Sequence, residues 1–297
     1  MRVLVTGATG FIGRRLVARL DRPAVLSRDP IRARAVLGPV DAFRWDPEAG
    51  PPPYEAFEGV DAVVHLAGEN VGAGRWTAER KARILGSRQA GTRHLVAALG
   101  ALSSRPELLV SASAVGYYGS RGDQVLDESS EPGKDFLSEV CVAWEAEAGK
   151  ARAFGMRVVS PRIGLVLGPG GGPLAAMLPI FRAGIGGPFG LGGQWMPWVA
   201  LDDVIGMLLH AVATPGCQGP LNVVGPVPVI NREFVRALGK AVGRPAILPL
   251  PAFALRLAVG ELADALLASQ RVLPRVATES GYRFAFEDLF AALRSSL

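Results

Sequence analysis

The stretch RVLVTGATGFIG at residues 2–13 restricts the fold of this chain more than any other. Arg2 to Val5 is a short run of β-branched and leucine residues that reads as a buried strand. Thr6 to Gly10 is a glycine-punctuated turn, and Phe11 to Leu20 carries the spacing of an amphipathic helix. The glycines stand at 7, 10 and 13. Gly7 lets the chain turn sharply, Gly10 lets backbone approach a pyrophosphate, and Gly13 lets the helix pack close to the strand. Amide N–H groups at the helix start, with the positive end of its dipole, then face phosphate oxygens. In this strand-turn-helix setting the glycine triplet points to a bound dinucleotide.

TGATGFIG at this position resembles the start of the extended and atypical short-chain dehydrogenase/reductases, the group that includes nucleotide-sugar epimerases and dehydratases. The resemblance implies an α/β fold: a Rossmann-type doubly wound parallel sheet over residues 1–228 and a small, mostly helical C-terminal substrate lobe over 229–297. Residues 166–200 are expected to contribute to the substrate side. The family pattern places cofactor contacts at Gly7, Thr9, Gly10, Phe11 and Ile12 in the first turn. It also places them at Leu66, Ala67 and Gly68 in an H-L-A-G turn, and at Ser111 and Arg162.

The second strand, Ala24 to Ser27, ends at Arg28. An acidic residue there would bind a ribose 2′-hydroxyl, whereas an arginine matches a 2′-phosphate, so NADP is expected before NAD. Asp29, followed by Pro30, reads as the cap of the next helix. Further strands are expected at 42–45, 61–66, 107–111, 157–162 and 222–224, with a long helix over 77–102. His65 lies inside an apolar strand and reads as a packed core histidine. Within the long helix RQAGT matches the family's N-x-x-G-T, with Arg88 where that motif has Asn.

The loop ENVGAGRW, residues 69–76, falls where the carboxyl ends of the strands open, the place at which doubly wound sheets bind ligands. Glu69, Asn70, Arg75 and Trp76 are candidate substrate contacts or, equally, cap and packing residues. Arg88, Trp195 and Trp198 join the substrate candidates; both tryptophans flank Pro197 closely enough in sequence that packing explains them as well. Asp202 and Asp203 match a Val-Asp-Asp-Val segment that in the family caps the following helix, and no metal site is expected there.

SASAVGYYG, after the fifth strand, resembles the segment carrying the family's catalytic serine, which falls on Ser113. Tyr117 and Tyr118 follow. The family's Tyr-x-x-x-Lys pair is absent: the tyrosines are 54, 117, 118 and 282, and the residues four beyond them are Glu58, Arg121, Gly122 and Phe286. Aligning the helix Asp135 to Ala148 on Glu145 puts Leu137 and Cys141 at the two positions. Ser113, Tyr117 and Tyr118 are therefore the candidate catalytic residues, with packing of the pocket wall as the competing role for both tyrosines.

The net charge is +5 over 297 residues, carried by 28 arginines and only four lysines interspersed with acids. No basic block or recognition motif accompanies the charge, so nucleic acid is not an expected partner. The longest apolar region, 247–268, is broken by Pro249, Pro251, Arg256, Glu261 and Asp264, so no membrane span is expected. Two distant cysteines and no signal-peptide pattern fit a reducing, cytoplasmic setting. The C-terminal sequence from Val229, ending in SGYRF, resembles the branch of epimerase-like reductases whose terminal domain has no assigned function. Two helices are expected there, 231–242 and 252–267, packing over the carboxyl edge of the sheet. The expectation is an NADP-dependent oxidoreductase or epimerase-like enzyme of altered proton chemistry, monomeric or homodimeric, on a small carbonyl or hydroxyl substrate. The other reading is a non-catalytic NADP-responsive binding protein.

Overall fold

The computed structural model describes residues 1–297. Seven parallel strands form the central sheet: β1 (Val3–Thr6), β2 (Ala24–Ser27), β3 (Asp41–Arg44), β4 (Ala62–His65), β5 (Leu108–Ser111), β6 (Arg157–Ile163) and β7 (Gly219–Val223). Their order across the sheet is β3-β2-β1-β4-β5-β6-β7, and Ser113–Ala114 adds a short pairing to β6. The order reverses beside β1, which creates the crevice in which such sheets hold ligands.

These strands read as continuous apolar runs because both faces are covered. Val3 and Val5 enter one core with Leu16, Leu201, Val204 and Leu208. Leu4 enters the other with Leu26, Leu95, Val96 and Leu99. Helices α1 (Phe11–Val17) and α6 (Leu201–Ala213) therefore cover one face, and α3 (Ala78–Ala101) covers the other. Helix α2 (Pro30–Leu37) begins where Asp29 accepts from the Arg32 amide at 2.9 Å, and α4 (Phe136–Gly149) where Asp135 accepts from Ser138. No helix is long and apolar enough to cross a membrane.

A third core joins α5 (Gly172–Arg182), α7 (Asn231–Val242) and the final helix α11 (Leu289–Ser295) around Trp198, Phe181 and Phe234. Between them lie α8 (Ala252–Val259), α9 (Leu262–Leu267) and α10 (Arg275–Glu279). The single helix expected over 252–267 is thus two, because Gly260 takes a left-handed φ of +66° that ends α8.

The last thirty residues are tied back onto the preceding chain. Arg271–Val272 pairs with Val125–Leu126, and Gln270 Nε2 donates to the carbonyls of Val115 and Gly119 at 2.9 and 3.1 Å. Asp203 is 1% exposed and accepts from Tyr282 Oη, Ala285 N–H and Phe286 N–H at 2.9, 2.7 and 3.1 Å. This corrects the expected capping role: α6 starts after Ala200 with no side-chain cap, and Asp203 is the anchor of the tail.

Candidate functional site

The carboxyl edge of the sheet lines up the polar residues of the site in register. Thr6 pairs with His65 and His65 with Ser111, while Ser113 pairs with Arg162 and Arg162 with Asn222. Below this edge His65 is fully buried between Thr6 Oγ1 at 2.7 Å and Thr92 Oγ1 at 3.1 Å. Burial, reinforced by the Arg88 charge, lowers its pKa to about 4, so it stands as the neutral core histidine the sequence suggests.

A cleft of about 330 Å³ opens over the first turn, lined by Gly7 to Gly10, Leu26 to Arg28, Trp45 to Glu48, Leu66 to Glu69 and Ser87. Gly7 has φ +66°, and a Cβ there would lie 2.7 Å from the Leu66 carbonyl carbon. On Gly13 a Cβ would lie 2.7 Å from Ala8 Cα, so helix and turn touch backbone to backbone. A Cβ on Gly10 would meet only the Gly7 carbonyl, at 3.1 Å, and its other sides face the cleft. The cradle thus fits a pyrophosphate, with exposed Arg28 at the rim beyond β2. Phe11 and Ile12 pack against the core, so only their amides are available to a cofactor. A Cβ on Gly171 or Gly172 would run into the Phe11 ring, and one on Gly168 into the Leu201 side chain.

Beyond the cleft Ser113, 3% exposed, donates from Oγ to Glu145 Oε1 at 2.7 Å. Arg162 grips the same carboxylate with Nε and Nη2, both at 2.9 Å, and donates from Nη1 to Tyr118 Oη at 3.0 Å. Its guanidinium carbon lies 3.4 Å from the Tyr117 ring centre. The ion pair and its hydrogen bonds outweigh burial and raise the Arg162 pKa. Tyr117 is half-buried, and desolvation against the opposing pull of Arg162 keeps its phenol protonated well above neutral pH. Tyr118 is fully buried, donates to Asn222 Oδ1 at 2.6 Å and is pushed up to about 12 by burial. Cys141, at the position the sequence alignment on Glu145 gives to the lysine, is a buried thiol pushed up to about 11 by burial, so it stays neutral. The Ser111 hydroxyl is buried with no partner and faces the same edge.

Residues 3–223 match the NAD dependent epimerase/dehydratase family, and 250–296 match a domain of unknown function. This chain belongs to the NAD dependent epimerase/dehydratase family. An epimerase family protein of Mycobacterium bovis is 41% identical to it over 98% of this chain and 96% of its own. The human epimerase family protein SDR39U1, whose crystal structure was determined with NADPH, is 37% identical with a TM-score of 0.88, covering 100% of this chain and 99% of that one. The UDP-glucuronic acid 4-epimerase of Bacillus cereus, at 18% identity and a TM-score of 0.79 over 100% and 98% of the chains, shares the fold.

In this epimerase-family chain the cleft gathers Gly7, Thr9, Gly10, Arg28, Leu66, Ala67 and Gly68 of the sequence candidates, together with Glu69. Ser111 and Arg162 lie farther along the carboxyl edge and do not line it. Arg88 lies over the Trp144 ring and donates to the Glu69 and Ile84 carbonyls, which fixes the loop after β4. Arg75 donates to the Leu257 carbonyl and ties that loop to α8, and Asn70 accepts from the Gly72 amide. Trp76 packs edge-on against Phe136. Trp195 donates to Asp123 at 2.8 Å, with Arg271 over its ring. Trp198 is 1% exposed and bonded to the Val227 carbonyl, so it is core and not a substrate contact. Tyr118 likewise points into the core.

The residue the sequence candidates lacked is Glu145. An arginine inside a strand needs a buried acceptor, and a carboxylate in line with Leu137 and Cys141 on α4 supplies it; that pairing was the available signal.

Proposed function

We propose that this chain is an NADP-dependent oxidoreductase or epimerase-like enzyme on a small carbonyl or hydroxyl substrate, with Ser113, Glu145 and Tyr117 in place of the usual tyrosine and lysine. The observation that carries the reading is the Ser113 to Glu145 hydrogen bond at the sheet edge beside Arg162. The turn from Gly7 to Gly10 would hold the pyrophosphate and Arg28 the 2′-phosphate, in keeping with NADPH in the human relative. When bound, the nicotinamide supplies or accepts hydride at a substrate carbon. Ser113 directs its proton at Glu145, which leaves the Oγ lone pairs free to accept from a substrate hydroxyl. Arg162 holds Glu145 in place through both carboxylate oxygens, and the Tyr117 phenol stays protonated as the donor.

The test is oxidation of NADPH by a panel of carbonyl compounds, read at the nicotinamide absorbance. Ser113→Ala is expected to lower turnover about 100-fold with NADPH affinity unchanged. Arg28→Ala should weaken NADPH about tenfold more than NADH. The missing Tyr-x-x-x-Lys pair favours a second reading, a non-catalytic NADP-responsive binding protein. Tight NADPH binding with no turnover on any carbonyl would select it.

A further inference from the structure

Helix α7 carries Arg232, Arg236 and Lys240 at four-residue intervals, so their side chains follow one another along one exposed face. Gly243, with φ +68°, ends the helix in a left-handed turn, and Arg244 comes back beside the other three. With Ile247 the four cations line a groove of about 470 Å³ that shares no residue with the nucleotide cleft. None of the four has a carboxylate within 4.0 Å. Glu233, the one acid of α7, is turned to the helix start, where it accepts from the Ile230 amide at 3.3 Å. The Lys240 ammonium is held 4.6 Å from the Phe290 ring centre, by an aromatic face instead of an anion.

Like charges one helical turn apart oppose helix formation, and an anion laid along them reverses that opposition. The three helical cations are spread over about 12 Å, at 1.5 Å rise per residue. A single phosphate cannot span that length. An extended polyanion can, with guanidinium forks meeting successive phosphate groups. At the rim Ile247 is 77% exposed and Leu248 52%, so the groove also offers an apolar margin.

We propose that this groove is a second binding site, for a ligand that presents two or more phosphate groups along its length. The phosphates belong either to a soluble polyphosphate compound or to the headgroups of an anionic phospholipid surface. The site is independent of the nucleotide cleft and of the proposed reaction.

The whole chain, with NADPH bound, is titrated with inorganic tripolyphosphate by calorimetry, beside the double variant R236E/K240E. In parallel it is sedimented with phosphatidylcholine vesicles with and without phosphatidylserine. Saturable tripolyphosphate binding that falls with added NaCl and drops at least about 25-fold in the double variant is the expected result, at about fivefold per charge removed. NADPH affinity stays within about twofold, which shows that the variant is folded. Vesicle binding that needs phosphatidylserine and is lost in the variant, without tripolyphosphate binding, upholds the site and assigns the lipid source. Binding to neither probe, or binding the double variant keeps in full, overturns the proposal. So does tighter binding to single-stranded oligonucleotides that grows with their length, which would make the face a nucleic-acid surface.

Discussion

Removing the Glu145 charge tests whether the ion pair organises the site or merely occupies it. The Arg162 side chain is 4% exposed and that of Glu145 16%, and two hydrogen bonds of 2.9 Å join them. Glu145→Gln leaves a buried guanidinium with one neutral amide oxygen in place of the carboxylate, beside Tyr118 Oη, the Glu128 carbonyl and the Tyr117 ring. Breaking one side of a buried pair costs about 3–5 kcal/mol. The lower end applies here, because glutamine still accepts one bond, giving about 3 kcal/mol and a fall in Tm of about 6 °C for a chain of this size. Arg162→Met should cost a similar ~3 kcal/mol by stranding the carboxylate. The double variant removes both charges together and should cost about 3 kcal/mol, not 6, a coupling of at least ~2 kcal/mol. Urea unfolding followed by tryptophan fluorescence, with equal slopes for all four proteins, measures the cycle. Single costs that add to within about 0.5 kcal/mol would refute the idea that the two charges act as a unit.

Three further outcomes follow from named contacts. His65 has a folded pKa of about 4 against 6.5 unfolded, so the unfolded chain binds the extra proton between these values. Stability is therefore full above pH 6.5 and declines as pH falls toward 4, by about 3 kcal/mol; His65→Gln should flatten that slope in unfolding curves across pH 4 to 7. Asp203→Ala strands three donors of residues 282–286 at a cost of about 2–4 kcal/mol and should expose the chain after Arg283 to trypsin, seen as a short C-terminal fragment. Tyr118→Phe removes a hydroxyl bridging Asn222 and Arg162 and should cost about 1–2 kcal/mol of stability, whereas Tyr117→Phe should leave stability unchanged and lower turnover.

The parallel sheet was legible because its strands are covered on both faces and so read as apolar runs, and the first turn because its glycines answer local steric demands. Asp29 was legible as a cap since its partner is three residues away. What escaped the sequence depends on neighbours distant along the chain. Glu145 and Arg162 are 17 residues apart and meet only when α4 packs on β6. Asp203 finds its donors some 80 residues on. Tyr117 and Tyr118 are adjacent on a single tight turn, Val115–Tyr118, and their rings meet edge to face, yet Tyr118 is fully buried and Tyr117 only half-buried over the arginine. No periodicity distinguishes them.

Gln270 holds Val115 and Gly119 from behind, so the serine-bearing loop is braced by residues near the end of the chain. Every residue lining the nucleotide cleft has been made by Ser87. At ~5–20 residues per second a nascent polypeptide on the ribosome waits roughly ten to forty seconds between these two points. Translation thus delivers the residues of the nucleotide cleft first and the support of the neighbouring serine loop last. A molecule cut short before Gln270 keeps every cleft-lining residue yet lacks the brace beside it.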